Sequence, residues 1–170
     1  MKKILIGLMV LVMLFVVAGC EKPGDSGAKP SDSPEDNNAQ TERFSFVYQN
    51  VELIPGADFP EKQLPEAASV YTVPSCAMEG TDNVYNYEVI EVTAFQDRSG
   101  ESIYSIYLLD ANTPTPEGLY LGDDLSRVTE LYGTTYQQDG TQISYQKGDT
   151  LLVLILQENC VSSIEYRMAI

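Results

Sequence analysis

The sequence predicts an α+β domain made of two tandem repeats, each a helix followed by antiparallel strands, with the helices packed on one face of the sheet. Three observations predict it: a self-match at about 60 residues, helical periodicity early in each half, and β-rich runs parted by Gly and Asp clusters. Leu64, Val70 and Tyr71 match Leu125, Leu131 and Tyr132 at an offset of 61, while Gly80, Thr81 and Tyr85 match Gly140, Thr141 and Tyr145 at 60. Ile90 to Gln96 match Leu151 to Gln157 at 61, and Ile103, Ser105 and Ile106 match Val161, Ser163 and Ile164 at 58. Ordered self-similarity of this kind marks a repeat. Repeat one covers about 51–110 and repeat two about 117–170, with Thr113-Pro114-Thr115-Pro116-Glu117-Gly118 as the joint.

Ahead of the repeats the chain opens Met1-Lys2-Lys3 and runs uncharged from Ile4 to Val17. A basic start, an apolar run and small residues before a cut make a secretory signal. The apolar run is 14 residues, short of the roughly 20 that a membrane-spanning helix needs. Val17-Ala18-Gly19-Cys20 resembles the lipobox of bacterial lipoproteins. That resemblance implies residues 1–19 as a signal peptide, lipid transfer to the Cys20 thiol and cleavage before it. The protein is then expected at the cell membrane, lipid-anchored on the extracytoplasmic face.

Residues 20–43 carry no large apolar side chain after Cys20. Such a composition cannot offset the entropy of ordering and predicts a disordered tether to a domain at 44–170. Without the signal segment, eight basic residues face twenty-five acidic ones, a net charge of −17. A surface so acidic repels nucleic acid and anionic headgroups. The chain has no His, which excludes Ser-His-Asp and Cys-His catalysis and His-based metal sites.

In the second half, Asp123 or Asp124 can cap a helix with Leu125, Val128, Leu131 and Tyr132 on one stripe and Gly133 to end it. In the first, Pro65 stands near the start of the equivalent helix, ahead of Glu66, Ala67, Ala68, Val70 and Tyr71. The strands expected are Val84 to Tyr87, Val89 to Phe95, Ile103 to Leu109, Ile143 to Tyr145, Leu151 to Leu156 and Val161 to Met168.

Residues Pro116 to Asp123, Leu131-Tyr132-Gly133 and Val161-Ser162-Ser163-Ile164-Glu165-Tyr166 resemble the helix-plus-sheet repeat of small bacterial lipoproteins and secreted inhibitors. β-Lactamase inhibitor protein-like and BamE-like proteins are the characterised types. The resemblance implies the fold and names no target.

No phosphate loop, calcium loop or nucleophile with a base is legible, so neither enzyme activity nor a cofactor nor a metal is expected. The expected function is a non-catalytic binding module for a protein or envelope component. The alternative is a structural part of an envelope assembly, and cation binding is a weaker third reading. Cys76 and Cys160 are the remaining cysteines, and an exported pair is a candidate disulfide. A candidate binding face follows from strand alternation: Ile90, Val92 and Ala94 and their matches Leu151, Val153 and Ile155 should face the helices, leaving Phe95, Leu152, Leu154 and Leu156 opposite. Those leucines are either covered by a segment such as Phe44 to Val51 or exposed as an apolar patch.

Overall fold

The structure, a computed structural model, describes residues 42–170. The expected signal segment, Cys20 and residues 21–41 of the expected tether lie outside them. The described chain starts with a hairpin of β1 (Phe46–Tyr48) and β2 (Val51–Leu53). Gln49 and Asn50 turn it in the left-handed region, at φ 51° and 65°, the conformation that a two-residue hairpin with the native strand twist requires. A short 3-10 turn (Glu61–Gln63) precedes β3 (Ser69–Pro74), β4 (Thr81–Asn86), β5 (Ile90–Gln96) and β6 (Glu101–Leu108). After helix α1 (Leu125–Tyr132) come β7 (Gln137–Asp139), β8 (Gln142–Lys147), β9 (Thr150–Gln157) and β10 (Cys160–Met168).

The last eight strands form one antiparallel sheet in the order β3-β4-β5-β6-β10-β9-β8-β7. Two meanders of four strands thus meet at their final strands. The architecture is mostly β with one α-helix among the described residues, and this corrects the expected α+β fold of two helix-plus-strand repeats. The first half has no α-helix. Between Pro65 and Ser69 only Glu66, Ala67 and Ala68 favour one, too few to offset the cost of nucleation. The following Ser69-Val70-Tyr71-Thr72-Val73 is β-branched and aromatic and pairs with β4 instead.

The expected second-half helix is present. Asp124 caps it by accepting the Arg127 N–H at 2.9 Å, Val128 is fully buried, and Gly133 at φ 84° closes it.

The central pairing is short, with Ser105, Ile106 and Tyr107 opposite Arg167, Tyr166 and Glu165. The start of β6 is taken by residues 56–59: the Gly56 N–H donates to Ile103 O at 2.7 Å and the Phe59 N–H to Glu101 O at 2.9 Å. The start of β10 is taken by residues 122–125, through Gly122 N–H to Val161 O at 2.7 Å and Leu125 N–H to Asn159 O at 3.1 Å. Each half therefore folds the segment before its turn or helix back onto its last strand.

Side chains of Ile90, Val92, Ile106, Ile164, Tyr166, Leu152 and Leu154 form the core with Phe44, Phe46, Leu53 and Val128. Burial of each such side chain is worth roughly 1.5–3 kcal/mol. The hairpin lies against the sheet through Phe46, whose ring centroid is 6.0 Å from that of Tyr166.

Candidate functional site

The candidate leucines point the other way from the sequence expectation. Leu152 and Leu154 are fully buried, and Leu156 is buried with them in the core cluster. Of the two alternatives, cover or exposure, the leucines take cover: all three lie in the core cluster with Phe44, Phe46 and Val128, so the candidate binding face at Phe95, Leu152, Leu154 and Leu156 is not an exposed apolar patch. The cause is the register. Tyr85, Val92 and Ile106 are successive cross-strand neighbours, and so are Tyr145, Leu152 and Tyr166. These positions stand 60 apart, not 61, and a slip of one residue moves a whole strand to the opposite face. Phe95 does lie on the opposite face, but it is buried over Gly80, whose missing Cβ would come within 2.9 Å of the ring.

Cys76 and Cys160 are both free and exposed, which corrects the candidate disulfide. Cys76 follows β3 at the end of the sheet where Pro74 pairs with Thr81, whereas Cys160 opens β10 at the other end. Strands β4, β5 and β6 separate them, at about 4.8 Å per strand. A disulfide requires Cα atoms within about 7 Å.

Away from the core, the sheet presents a second face. The hairpin, Phe59 and Leu64 on either side of the 3-10 turn, and α1 all contribute to the core cluster, whereas the buried Val84, Phe95 and Val153 of this second face stand outside it. Among the described residues, the hairpin and α1 pack on the opposite face of the sheet. Its centre is a row in which Glu91, Tyr107, Glu165 and Val153 are cross-strand neighbours on β5, β6, β10 and β9. The next row holds Thr93, Ser105, Arg167 and Leu151.

Glu165 is buried there, and burial pushes its carboxyl above the usual range although Arg167 and the Tyr107 hydroxyl pull the other way. The Tyr107 hydroxyl is itself pushed up to about 12, first by burial and then by Glu165. The face offers an aromatic hydroxyl, a carboxylate and a guanidinium side by side. That set suits recognition by hydrogen bonding and ring contact. Strand alternation does place Tyr107, Glu165 and Arg167 off the core, but that assignment follows only once the register of β9 is right.

A further polar cluster is internal. The Tyr132 hydroxyl donates to Glu117 Oε2 at 2.8 Å and lies 2.8 Å from Thr115 Oγ1, which accepts the Leu119 N–H at 3.0 Å. It pins α1 to the joint at 115–119, as buried polar groups must find partners. Lys147 sits 4.7 Å above the Phe44 ring, a cation–π contact that closes this end of the core.

Among the described residues no three His, Cys, Asp or Glu side chains gather as a metal site, and no helix is long and apolar enough to cross a membrane. No protein-family model matches the sequence, no curated protein matches it significantly, and no solved structure matches it significantly. The resemblance to β-lactamase inhibitor protein-like and BamE-like proteins rests on its motifs alone, and the helix-plus-sheet repeat it implied is missing from the first half.

Proposed function

We propose that the chain is a lipid-anchored, extracytoplasmic, non-catalytic binding module that presents the sheet face around Tyr107, Glu165 and Arg167 to a protein or envelope partner. The observation that carries this reading is that face itself: the side of the sheet opposite the hairpin and α1, with half-buried Tyr107 and Arg167 around buried Glu165 at its centre. Tyr and Arg are the residue types enriched where interfaces hold most of their energy. The sequence of residues 1–20 supports export and anchoring, and the acidic balance argues against nucleic acid.

The test is co-purification of the full chain from its own envelope, comparing wild type with Tyr107→Ala and Arg167→Glu. The expected result is one stoichiometric partner that both variants lose at unchanged melting temperature. Equal capture of many envelope proteins by all three chains would favour the structural-component alternative instead.

A further inference from the structure

We propose that strand β3 is a pairing edge for a second copy of this chain, joining two sheets into one through an antiparallel contact centred on Tyr71. The two edges of the sheet are unlike. At one, β7 is three residues long and carries Asp139. At the other, β3 is six residues long, all exposed, with Val70 at 53%, Tyr71 at 48% and Val73 at 36%. A long, apolar, uncovered edge is a template for strand addition.

The hydrogen-bond pattern fixes which groups are offered. The Ser75 N–H donates to Gly80 O at 3.1 Å, and the register pairs Pro74 with Thr81. Alternation along an antiparallel ladder then turns Ser69, Tyr71 and Val73 inward to β4 and leaves Val70, Thr72 and Pro74 facing out. Proline has no N–H, and the Ala68 N–H is held by Asn86 O at 2.8 Å. The free outward donors are those of Val70 and Thr72. Two copies related by a two-fold at Tyr71 set Val70 opposite Thr72 of the other copy, so that all four donors and the four carbonyls beside them are used. A register shifted by two residues either way brings Pro74 or Ala68 into the ladder and leaves a carbonyl without its donor.

Charge singles out this strand for a self-contact. The full chain has a net charge of −15, yet the 12 residues from Ala67 to Met78 carry none. A copy can approach along this stretch with the least repulsion. Anchoring favours the same occupant, and this step rests on the lipid-anchored reading above. Residues directly opposite in an antiparallel pair point to the same face, so the two core faces of such a dimer lie on one side of the joined sheet. Phe44, where the described chain enters the core, is on that side in both copies. Both chains can then be held by one bilayer, which raises their effective concentration.

The experiment is sedimentation equilibrium of the full chain in detergent, with Thr72→Pro and Val70→Lys as variants. Proline at 72 removes an outward donor and leaves the β3–β4 backbone ladder in place, losing besides it only the exposed hydroxyl bond from Thr72 to Asn83 Oδ1 at 2.6 Å. The expected result is a dimer whose association strengthens as salt rises from about 20 to about 300 mM and weakens at least tenfold in both variants, with circular-dichroism spectra unchanged. Photo-oxidative crosslinking of mixed isotopically light and heavy chains should join Tyr71 to Tyr71. A wild-type monomer, a dimer that both variants retain, or a crosslink confined to other tyrosines would overturn the proposal. A wild-type monomer whose Val70 and Thr72 amides gain exchange protection in envelope extract would give the edge to a foreign strand and overturn self-pairing. Acyl labelling of Cys20, measured separately, decides the anchoring reading without bearing on the sedimentation result.

Discussion

Ile106 and Tyr166 face each other across the central pair of β6 and β10, both with no exposed surface, and each holds the corresponding place in its own meander. They mark the line on which the two halves of the sheet meet. Tyr166 also takes the ring of Phe46 from the hairpin above, so one residue ties the two meanders and the N-terminal hairpin together.

A core placement for β9 makes Leu154 a stability residue. Leu154→Ala should cost about 2–5 kcal/mol, read as a fall of several degrees in the circular-dichroism melt. Leu154→Asp buries an unpaired charge and should leave no cooperative transition. An unchanged melt in either variant would return Leu154 to the surface.

Thiol chemistry provides a second check. With Cys76 and Cys160 free and exposed, the native chain should take up a maleimide at both positions without prior reduction. Its intact mass should not change on treatment with a reductant. Labelling that appears only after reduction would contradict the separation across the sheet.

The two ends of the pH scale probe different carboxylates. Glu165 is raised by burial above its ordinary 4.5, so the folded state holds that proton more tightly than the unfolded one. Its contribution to stability is full below the ordinary value and is lost as pH rises through the raised one. Glu165→Gln should therefore melt higher than wild type near pH 7, and the gap should close in acid. Asp124 is the opposite case. The Ser126 hydroxyl and then the Arg127 N–H hold its carboxyl below 3.8, so its contribution is present above that value and is lost as pH falls. Asp124→Ala should lower the melt at neutral pH by an amount that shrinks in acid.

For the N-terminus, Cys20→Ser should leave an uncleaved precursor that incorporates no labelled fatty acid. Normal maturation of that variant would assign the cut to an ordinary signal peptidase and remove the membrane anchor from the proposed function.

Most of the second half was legible because its signals are local: Asp124 and Gly133 bound a helix on either side of a clear apolar stripe, and β8, β9 and β10 lie where the β-rich runs put them. The first-half helix has no such local support: Leu64, Val70 and Tyr71 match helical residues in type, while their neighbours Thr72 and Val73 favour a strand. The site was harder. Six consecutive apolar residues from Leu151 to Leu156 carry no alternation, so only the cross-strand partner of Leu152, Tyr145, reveals which face each takes. Nothing local announces that Glu165 is buried, because its burial comes from Tyr107 and Val153 on neighbouring strands.

The hairpin's Tyr48 rests on Tyr87 of the first meander, but the segment that leads into the hairpin is seated on the end of the chain. The Phe44 N–H donates to Thr150 Oγ1 at 2.7 Å, Arg43 pairs with Asp149, and Phe44 and Phe46 rest on Tyr166. Each meander closes through neighbours in sequence, which makes it quick to form. Phe44 and Phe46 are made long before Thr150 and Tyr166, the residues of β9 and β10 that they meet. Their docking on β9 and β10 closes the longest loop in the fold, and it is through that closure that Phe44 and Phe46 leave water.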